Sequence, residues 1–117
     1  MADELTVSIS MSYTNGGVSF NEAYSDSVTV AAVPMATNVQ SIGTTEGQLD
    51  YGGGTSLGFL FIKNLDATNF VQFGKTTGVY TARLKPGELG IFRMDGNTVF
   101  AKADTAAVYV YYKLWSN

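Results

Sequence analysis

The amino-acid sequence predicts an all-β protein, an antiparallel β-sandwich of about eight to ten short strands with negligible helix. Three observations predict this class. Apolar and polar residues alternate with a period of two in several segments, as half-buried strands require. Turn residues recur at intervals of about ten positions. No segment of about ten residues or more shows the 3.6-residue period of an amphipathic helix.

The first predicted element is a β-hairpin. From Leu5 to Tyr13 the odd positions are apolar and the even positions are Thr or Ser, so one face of this strand should be buried. Asn15-Gly16-Gly17 follows and supplies residues that tolerate positive φ. Val18–Phe20 begins the return strand. A second clear strand is predicted from about Ser25 to Val33, ending at Pro34.

The middle of the chain is less regular. Alternation is weak between Met35 and Tyr51, where Gly43 and Gly47 interrupt it, and this stretch predicts two short strands. Gly52-Gly53-Gly54 is a flexible loop or a point of close backbone approach. Leu57–Ile62 is a nearly continuous apolar run, which favours a strand buried on both faces at the centre of the core.

The C-terminal strands are short and are separated by turn residues. Lys85-Pro86-Gly87-Glu88 places Pro and Gly at the central positions of a type II turn, and Asp95-Gly96-Asn97 is typical of a hairpin. The last strand runs from about Ala106 to Trp115, and both of its faces are rich in apolar or aromatic side chains. The other four strands are predicted at Phe70–Phe73, Tyr80–Leu84, Gly90–Met94 and Val99–Ala103.

The length predicts a single domain over residues 1–117, with a candidate extended N-terminal segment at residues 1–6. A chain of this size can bury about two thirds of its surface. The start, Met1-Ala2-Asp3-Glu4, is acidic where a secretory signal is basic. No apolar run approaches the roughly 20 residues needed to cross a bilayer. We therefore expect synthesis in a cytosol and no membrane partner.

The composition excludes most active-site chemistry. The chain has no Cys and no His, which excludes disulfides, Cys/His metal or haem sites and His-dependent nucleophilic catalysis. Gly74-Lys75-Thr76-Thr77 resembles the end of a phosphate-binding loop, but a turn and a strand follow it, so we interpret it as a polar loop. We expect no enzyme activity and no cofactor.

The carboxylates show no catalytic or metal-binding pattern. A glycosidase would need two carboxyl groups at a fixed separation. None of the carboxylates considered belongs to a cluster, and a position in a turn or solvated loop accounts for each of them. Calcium would need several closely spaced oxygen ligands, and Asp95-Gly96-Asn97 offers only two side chains. The carboxylates considered are Asp50, Asp66, Glu88 and Asp95.

Charge is scarce and unevenly distributed. Charged residues make up 15% of the chain, against about 25% in an average domain, which suggests that another molecule covers part of the surface. The first 62 residues carry six acids and no base, and the remainder carries seven bases and four acids. Either the two halves of the chain interleave in one fold, so that their opposite charges are mixed over its surface, or the opposite charges lie on separate surfaces and orient neighbouring subunits as they associate. A net charge of −3 without a basic run disfavours nucleic acid.

One face of the last predicted strand carries an aromatic stripe, Tyr109, Tyr111 and Trp115. The stripe belongs to the core if the strand is covered on both sides. If the aromatic stripe lies on the surface of the chain, it is a contact surface for another protein, since Tyr and Trp are preferred in buried protein contacts. It could also stack against sugars, as planar aromatic rings do in carbohydrate-binding modules.

Five segments of the C-terminal half carry a resemblance to a known family. They are Asn69–Gly74, Arg83–Glu88, Phe92-Arg93, Val99–Ala103 and Ala107–Tyr112. In these segments the chain resembles small virion proteins of tailed bacteriophages, the head proteins of the cement or decoration type. The Pro-Gly-Glu turn is also similar to that of cupins, but their metal site needs histidines, which this chain lacks.

The resemblance implies a jelly-roll fold and a homo-oligomer, usually a trimer. It also implies a structural role in the virion, in which the protein binds the major capsid protein on the outside of the head and stabilises the shell. On this hypothesis Tyr109, Tyr111, Lys113 and Trp115 form the subunit contact. The segment Met1–Thr6, including Leu5 and Thr6, grips the shell, because a terminal strand can pair with an exposed edge. The alternative is a trimeric head-fibre, tail or receptor-binding module that binds host glycans.

Overall fold

The computed structural model describes residues 5–29, 34–50, 57–96 and 98–116. They belong to two compact units, a hairpin within residues 1–32 and a two-sheet body within residues 33–117. Strands make up both units, and the described residues contain no helix, which confirms the all-β class. The predicted loop at Gly52-Gly53-Gly54 lies outside the described residues, and the single domain over residues 1–117 stays a prediction.

The N-terminal unit is a long antiparallel hairpin. Strand β1 (Leu5–Asn15) pairs with strand β2 (Val18–Val28) in unbroken register, from Leu5 opposite Val28 to Asn15 opposite Val18. Gly16 and Gly17 form the turn with φ of 57° and 85°. Two consecutive positive φ angles are typical of the type I′ turn, whose twist matches the twist of the flanking strands. The predicted hairpin is confirmed.

The separate strand predicted at Ser25–Val33 is wrong. Ser25 to Val28 continue β2, because they pair with β1 down to Leu5. Pro34 begins the next strand instead of ending one. Proline is tolerated as the first residue of a strand, where its missing N–H disturbs the ladder least. Residues 30–33 lie outside the described residues.

Eight further strands build the C-terminal unit, and all segments predicted there contain a strand. Gly43 separates the two strands of the weakly alternating segment, as expected. The strands are β3 (Pro34–Ile42), β4 (Gly47–Gln48), β5 (Leu57–Asn64), β6 (Val71–Gly74), β7 (Ala82–Leu84), β8 (Leu89–Arg93), β9 (Phe100–Ala103) and β10 (Val108–Ser116).

These strands form two four-stranded antiparallel sheets with the orders β3-β10-β5-β8 and β4-β9-β6-β7. The first strand of the unit pairs with the last, the second with the second to last, and so on inward to β6 and β7. This nested pairing is that of one long antiparallel ribbon wrapped around a core, which is the jelly-roll arrangement. The unit is therefore a β-sandwich with jelly-roll strand order.

Two predicted turns are corners between the sheets. At Lys85-Pro86-Gly87-Glu88 the type II turn is confirmed, since the Glu88 N–H donates to the Lys85 carbonyl at 3.0 Å and Gly87 has φ of 81°. Asp95-Gly96-Asn97 does not close a hairpin, because β8 pairs with β5 whereas β9 pairs with β4 and β6. Gly96, with φ of 118°, lets the chain leave one sheet for the other.

The core lies between the inner faces of the two sheets. Among the described residues, strands β10 and β5 contribute seven of its fifteen buried apolar residues, and Phe73 on β6 stacks on Phe92 on β8 with ring centroids 5.5 Å apart. The buried apolar residues are Ile42, Leu49, Leu57, Leu60, Ile62, Val71, Phe73, Leu84, Val99, Ala101, Ala103, Val108, Val110, Tyr112 and Leu114.

Strand β5 lies in the centre of its sheet, but only one of its faces is buried. Leu60 and Ile62 are fully buried, whereas Phe59, Phe61 and Lys63 are half-buried. The prediction of burial on both faces is wrong. The second sheet covers one side of β5, and the other side faces away from the core.

Asn64 is the one buried polar residue among those described, and it joins four segments. Its side-chain Nδ2 donates to the carbonyls of Asn69 (2.9 Å) and Leu84 (3.1 Å), and its Oδ1 accepts from the Asp66 N–H (2.9 Å). Its backbone N–H donates to the Glu88 carbonyl at 2.9 Å. One amide therefore satisfies polar groups at the ends of β5 and β7 and in the loops beside them.

Replacing Asn64 by Ala should lower the free energy of unfolding by about 2 to 4 kcal/mol, because it leaves buried carbonyls without donors and opens a cavity. Urea unfolding followed by circular dichroism measures this. The matched control is Asn21→Ala on the exposed part of β2, which should change the value by about 0.5 kcal/mol or less. Equal losses in both variants would contradict the role given to Asn64.

Two carboxylates stabilise turns of the sandwich. Glu46 accepts from the Tyr80 hydroxyl and from the Gly78 N–H (2.7 Å), and these hydrogen bonds lower the pKa of Glu46. Asp66 accepts from the N–H groups of Asn69 and Thr68 at 2.6 and 2.9 Å, which lowers the pKa of Asp66. In both cases the folded protein favours the charged form.

The sandwich should therefore lose stability in acid. A carboxyl group with a lowered folded pKa stabilises the fold above its ordinary pKa of about 4, and this stabilisation is lost as the pH falls through the folded value. Unfolding midpoints measured from pH 7 to pH 2 should decrease below about pH 4. Glu46→Gln should weaken this dependence, and the hairpin variant Glu22→Gln should not. An unchanged acid profile in Glu46→Gln would count against the Glu46 contacts.

Candidate functional site

The sheet β3-β10-β5-β8 has a side that faces away from the core and is unusually apolar for an exposed sheet surface. We call it the outer face. Register places its residues opposite one another on the four neighbouring strands. They are Thr37, Val39, Ser41, Phe59, Phe61, Lys63, Leu89, Ile91, Arg93, Tyr109, Tyr111 and Lys113.

Strict alternation along β10 produces this surface. Val108, Val110 and Tyr112 are fully buried, and Tyr109, between the first two, is 60% exposed. Tyr111 is half-buried and makes an edge-to-face contact with Phe61 on β5, with ring centroids 5.9 Å apart. Edge-to-face packing is a favoured aromatic geometry. The rings are thus held in place on the outer face while much of their surface stays accessible.

The outer face carries positive charge. Its charged residues are Lys63, Lys113 and Arg93, and none of the residues that form it is acidic. The Arg93 guanidinium lies 4.6 Å from the centroid of the Phe59 ring, a cation–π contact that holds both side chains against the sheet. An apolar surface with basic residues at its centre and margin favours a partner that is apolar and acidic.

The hairpin has a second exposed apolar surface. Odd positions of β1 and their partners on β2 share one side, which we call the hairpin stripe. Ile9, Met11, Tyr13 and Phe20 are 42–44% exposed, and Tyr24 is 61% exposed. The prediction that this face is buried is therefore wrong for its central part. The apolar residues of the stripe are Leu5, Val7, Ile9, Met11, Tyr13, Val18, Phe20, Tyr24 and Val28.

The two sides of the hairpin differ sharply. Opposite the stripe lies a side of small polar residues, where hydroxyl pairs such as Ser8 and Ser25 lie within 3.1 Å of each other. The stripe side also carries Glu22 and Asp26, opposite Met11 and Val7. The hairpin is therefore amphipathic, and its described residues include acids but no Lys or Arg.

The structure brings together three of the four residues predicted for subunit contact. Tyr109, Tyr111 and Lys113 lie on the outer face. Trp115 follows on β10 where the register shifts, and its side chain is half-buried. The exposure of Tyr109 in the single chain argues against a core role for the aromatic residues of β10. The interface and sugar-stacking interpretations of these residues remain.

The predicted shell-contact segment is only partly described. Residues 1–4 lie outside the described residues, and Leu5 and Thr6 begin β1. Leu5 belongs to the hairpin stripe, and the Thr6 hydroxyl lies 3.1 Å from that of Ser27 on the polar side. Both residues therefore pair with β2, and their role in shell contact stays a prediction.

Sequence reasoning missed the part that β5 and β8 play in the outer face. Phe61 and Lys63 were expected within or next to a strand buried on both sides, yet they lie opposite Lys113 and Tyr111 of β10. The signal was present, because Lys63 has the same parity as Phe59 and Phe61 and marks the side that reaches solvent.

The residues considered for chemistry stabilise turns. Lys75, from the segment that resembles a phosphate-binding loop, forms an ion pair with Asp95 (2.7 Å), and this contact lowers the pKa of Asp95. Glu88 Oε1 accepts from the Lys85 N–H at 2.7 Å. No three acidic side chains within the described part of the chain lie close enough together to hold a metal ion. Asn97 lies outside the described residues.

An apolar pocket of about 340 Å³ opens where β6, β7 and β8 approach one end of the sandwich. Phe73 and Phe92 form its wall together with Ala82 and Met94, and Lys75 and Asp95 lie at its edge. Gly74 has no room for a side chain, since a Cβ atom there would lie 2.3 Å from the Val79 carbonyl oxygen. The pocket is therefore shaped by the tight turn that follows β6.

Comparison of the chain with protein-family models, curated proteins and solved structures finds no match. In the described residues there is no helix with the length and apolar character needed to span a membrane. The candidate site consequently rests on the two exposed apolar surfaces alone.

The two faces of β10 should differ in what they stabilise. The buried Tyr112 hydroxyl donates to Gln40 Oε1 at 2.9 Å, so Tyr112→Ala should lower the free energy of unfolding by about 3 to 5 kcal/mol. Tyr111→Ala removes the same side chain from the outer face and should cost only about 1 kcal/mol. Urea unfolding of both variants tests this. Losses of similar size would mean that the outer face belongs to the core.

Proposed function

We propose that the chain is a structural virion protein that decorates the outside of a tailed-phage head and stabilises the shell by binding the major capsid protein. The observation that supports this most strongly is the outer face, which offers apolar, aromatic and basic side chains for the contact between subunits of a decoration protein. Exposed apolar patches of this kind are typical of protein-binding surfaces.

The fold agrees with this proposal. The resemblance of the C-terminal half implies a jelly roll, and the strand orders of the two sheets have that arrangement. The carboxylates considered for catalysis, Asp66, Glu88 and Asp95, serve as turn and ion-pair partners. We accordingly propose no enzymatic role and no cofactor, and we propose a homo-oligomer, with a trimer suited to three-fold positions of a shell.

In the proposed mechanism, subunits bind across junctions between neighbouring capsid proteins after the shell has expanded. Each bound copy stabilises the assembled shell by mass action, because it binds the lattice and not the dissociated capsid protein. Many weak contacts then add up over the particle. The segment at residues 1–6, including Leu5 and Thr6, is the proposed contact with the shell.

Binding to expanded heads assembled without this chain tests the proposal. The purified protein should bind them at a fixed number of copies per head and raise the temperature at which they release DNA. Tyr111→Ser with Lys113→Glu disrupts the proposed subunit contact and should weaken binding about tenfold or more, because fewer linked copies then contact the shell together. Lys85→Glu, in the turn after β7, should not weaken it. Failure to bind, or binding without a gain in heat resistance, would contradict the proposal.

The aromatic rings of the outer face favour one alternative, a trimeric head-fibre, tail or receptor-binding module that binds host glycans. Tyr109 and Tyr111 present ring surface that could stack on sugars. Titration with oligosaccharides of the host surface, followed by the fluorescence of the single Trp, Trp115, distinguishes the two. Saturable changes that Tyr111→Ala abolishes would favour glycan binding, and an unchanged spectrum would count against it.

A further inference from the structure

We propose that the hairpin stripe of one copy of this chain lies on the outer face of a second copy, so that copies are held together by exchanged hairpins. This inference goes beyond the proposed function, because it names the surfaces that join copies whatever the assembled protein binds. It rests on three properties of the described residues: the instability of an isolated hairpin, the complementary charges and the matching dimensions.

An isolated two-stranded hairpin is marginally stable in water and needs a covering surface. Here β1 and β2 are eleven residues each, and their stripe exposes Ile9, Met11 and Tyr13 by 42–44%. Within the hairpin only the pair Tyr13 and Phe20 shields its rings, with centroids 5.4 Å apart. Contact with a second apolar surface would therefore stabilise the hairpin.

The charges of the two surfaces are opposite in sign. Beside the stripe lie Glu22 and Asp26, and the described hairpin has no base. On the outer face, Lys63 and Lys113 occupy adjacent strands, and neither makes an ion pair with another described residue. Two hairpin stripes in contact would place acidic side chains near one another, which is unfavourable. A hairpin stripe in contact with an outer face places acidic side chains near basic ones, and this complementarity sets the orientation of the contact.

The dimensions of the two surfaces also match. A strand of eleven residues is about 37 Å long and a two-stranded ribbon is about 10 Å wide, whereas a four-stranded sheet is about 19 Å wide. Strand β5 has eight residues and is about 26 Å long, so one outer face covers about 26 Å of the stripe. One such contact buries about 520 Å² in total, and a reciprocal pair of contacts buries about 1,040 Å². That area is at the lower limit for a specific protein interface.

Each copy has one stripe to donate and one outer face to receive it, so a reciprocal exchange between two copies forms a symmetric dimer, and an exchange in one direction forms a ring where its rotation closes. The Tyr109, Tyr111 and Lys113 side chains then lie beneath a partner's hairpin. This assigns the interface interpretation of the aromatic residues to a particular occupant, a second copy of the same chain.

Charge reversal in the full-length chain tests this proposal by light scattering and sedimentation equilibrium. Lys63→Glu with Lys113→Glu makes the outer face acidic, and Glu22→Lys with Asp26→Lys makes the stripe basic. Each double variant alone should associate at least about tenfold more weakly than the native chain. An equimolar mixture should associate again, because each stripe then meets an outer face of opposite sign.

The mixture separates exchange between copies from contact within one chain, since only exchange can restore association in trans. Lys85→Glu with Lys102→Glu, away from the outer face, is the matched control and should associate like the native chain. Circular dichroism and the unfolding midpoint check that each variant is folded. A monomeric native chain at high micromolar concentration would overturn the proposal. So would association that both reversals leave unchanged, or a mixture that does not associate.

Discussion

The register of β10 is the constraint on which the rest of the structure depends. This strand lies between β3 and β5 in its sheet. Val110 and Tyr112 on one side are fully buried, so they fix which side faces the core. A slip of one residue would bury Lys113 and expose those apolar side chains, which is prohibitive. The same alternation that builds the core therefore also sets Tyr109 and Tyr111 on the outer face.

The molecule separates the surfaces that stabilise one chain from the surfaces available to join it to others. The inner faces of the two sheets bury the core, and Asn64 fastens the loops at one end without leaving a buried polar group unsatisfied among the described residues. The outer face and the hairpin stripe contribute little to that core. Their apolar content is consistent with selection for contact, because a surface without such a role is normally more polar. All seven bases lie in the C-terminal unit, together with six of the ten acids, whereas the described hairpin residues carry acids and no base.

Much of the fold was predictable from local patterns. Alternation identified the hairpin and β10, and turn residues marked the intervals between β6 and β9, because both signals depend only on neighbours in sequence. Pairing between distant strands was not predictable in this way. The turn at Asp95-Gly96 has hairpin chemistry, yet it joins different sheets because β8 pairs with the distant β5. The prediction that a strand ends at Pro34 was also wrong, because a proline can be the first residue of a strand as well as the residue that ends one.

The candidate site was predictable in part. The aromatic residues of β10 stood out because alternation alone places them together. Their neighbours Phe61 and Lys63 could not be assigned to the same surface without the register between β5 and β10. The exposure of the hairpin stripe could not be predicted either. An alternating strand has the same sequence pattern whether its apolar side packs on the core of its own chain or on the surface of another molecule.

Hydroxyl-radical footprinting of the native chain from nanomolar to high micromolar concentration tests the division between core and contact surfaces most directly. As the concentration rises, Tyr109 and Tyr111 on the outer face should become protected together with Met11 and Tyr13 on the stripe. Phe70, which lies before β6 under the Arg83 guanidinium, should react equally at every concentration. Reactivity of the four contact residues that is independent of concentration, or protection of one surface without the other, would contradict this account.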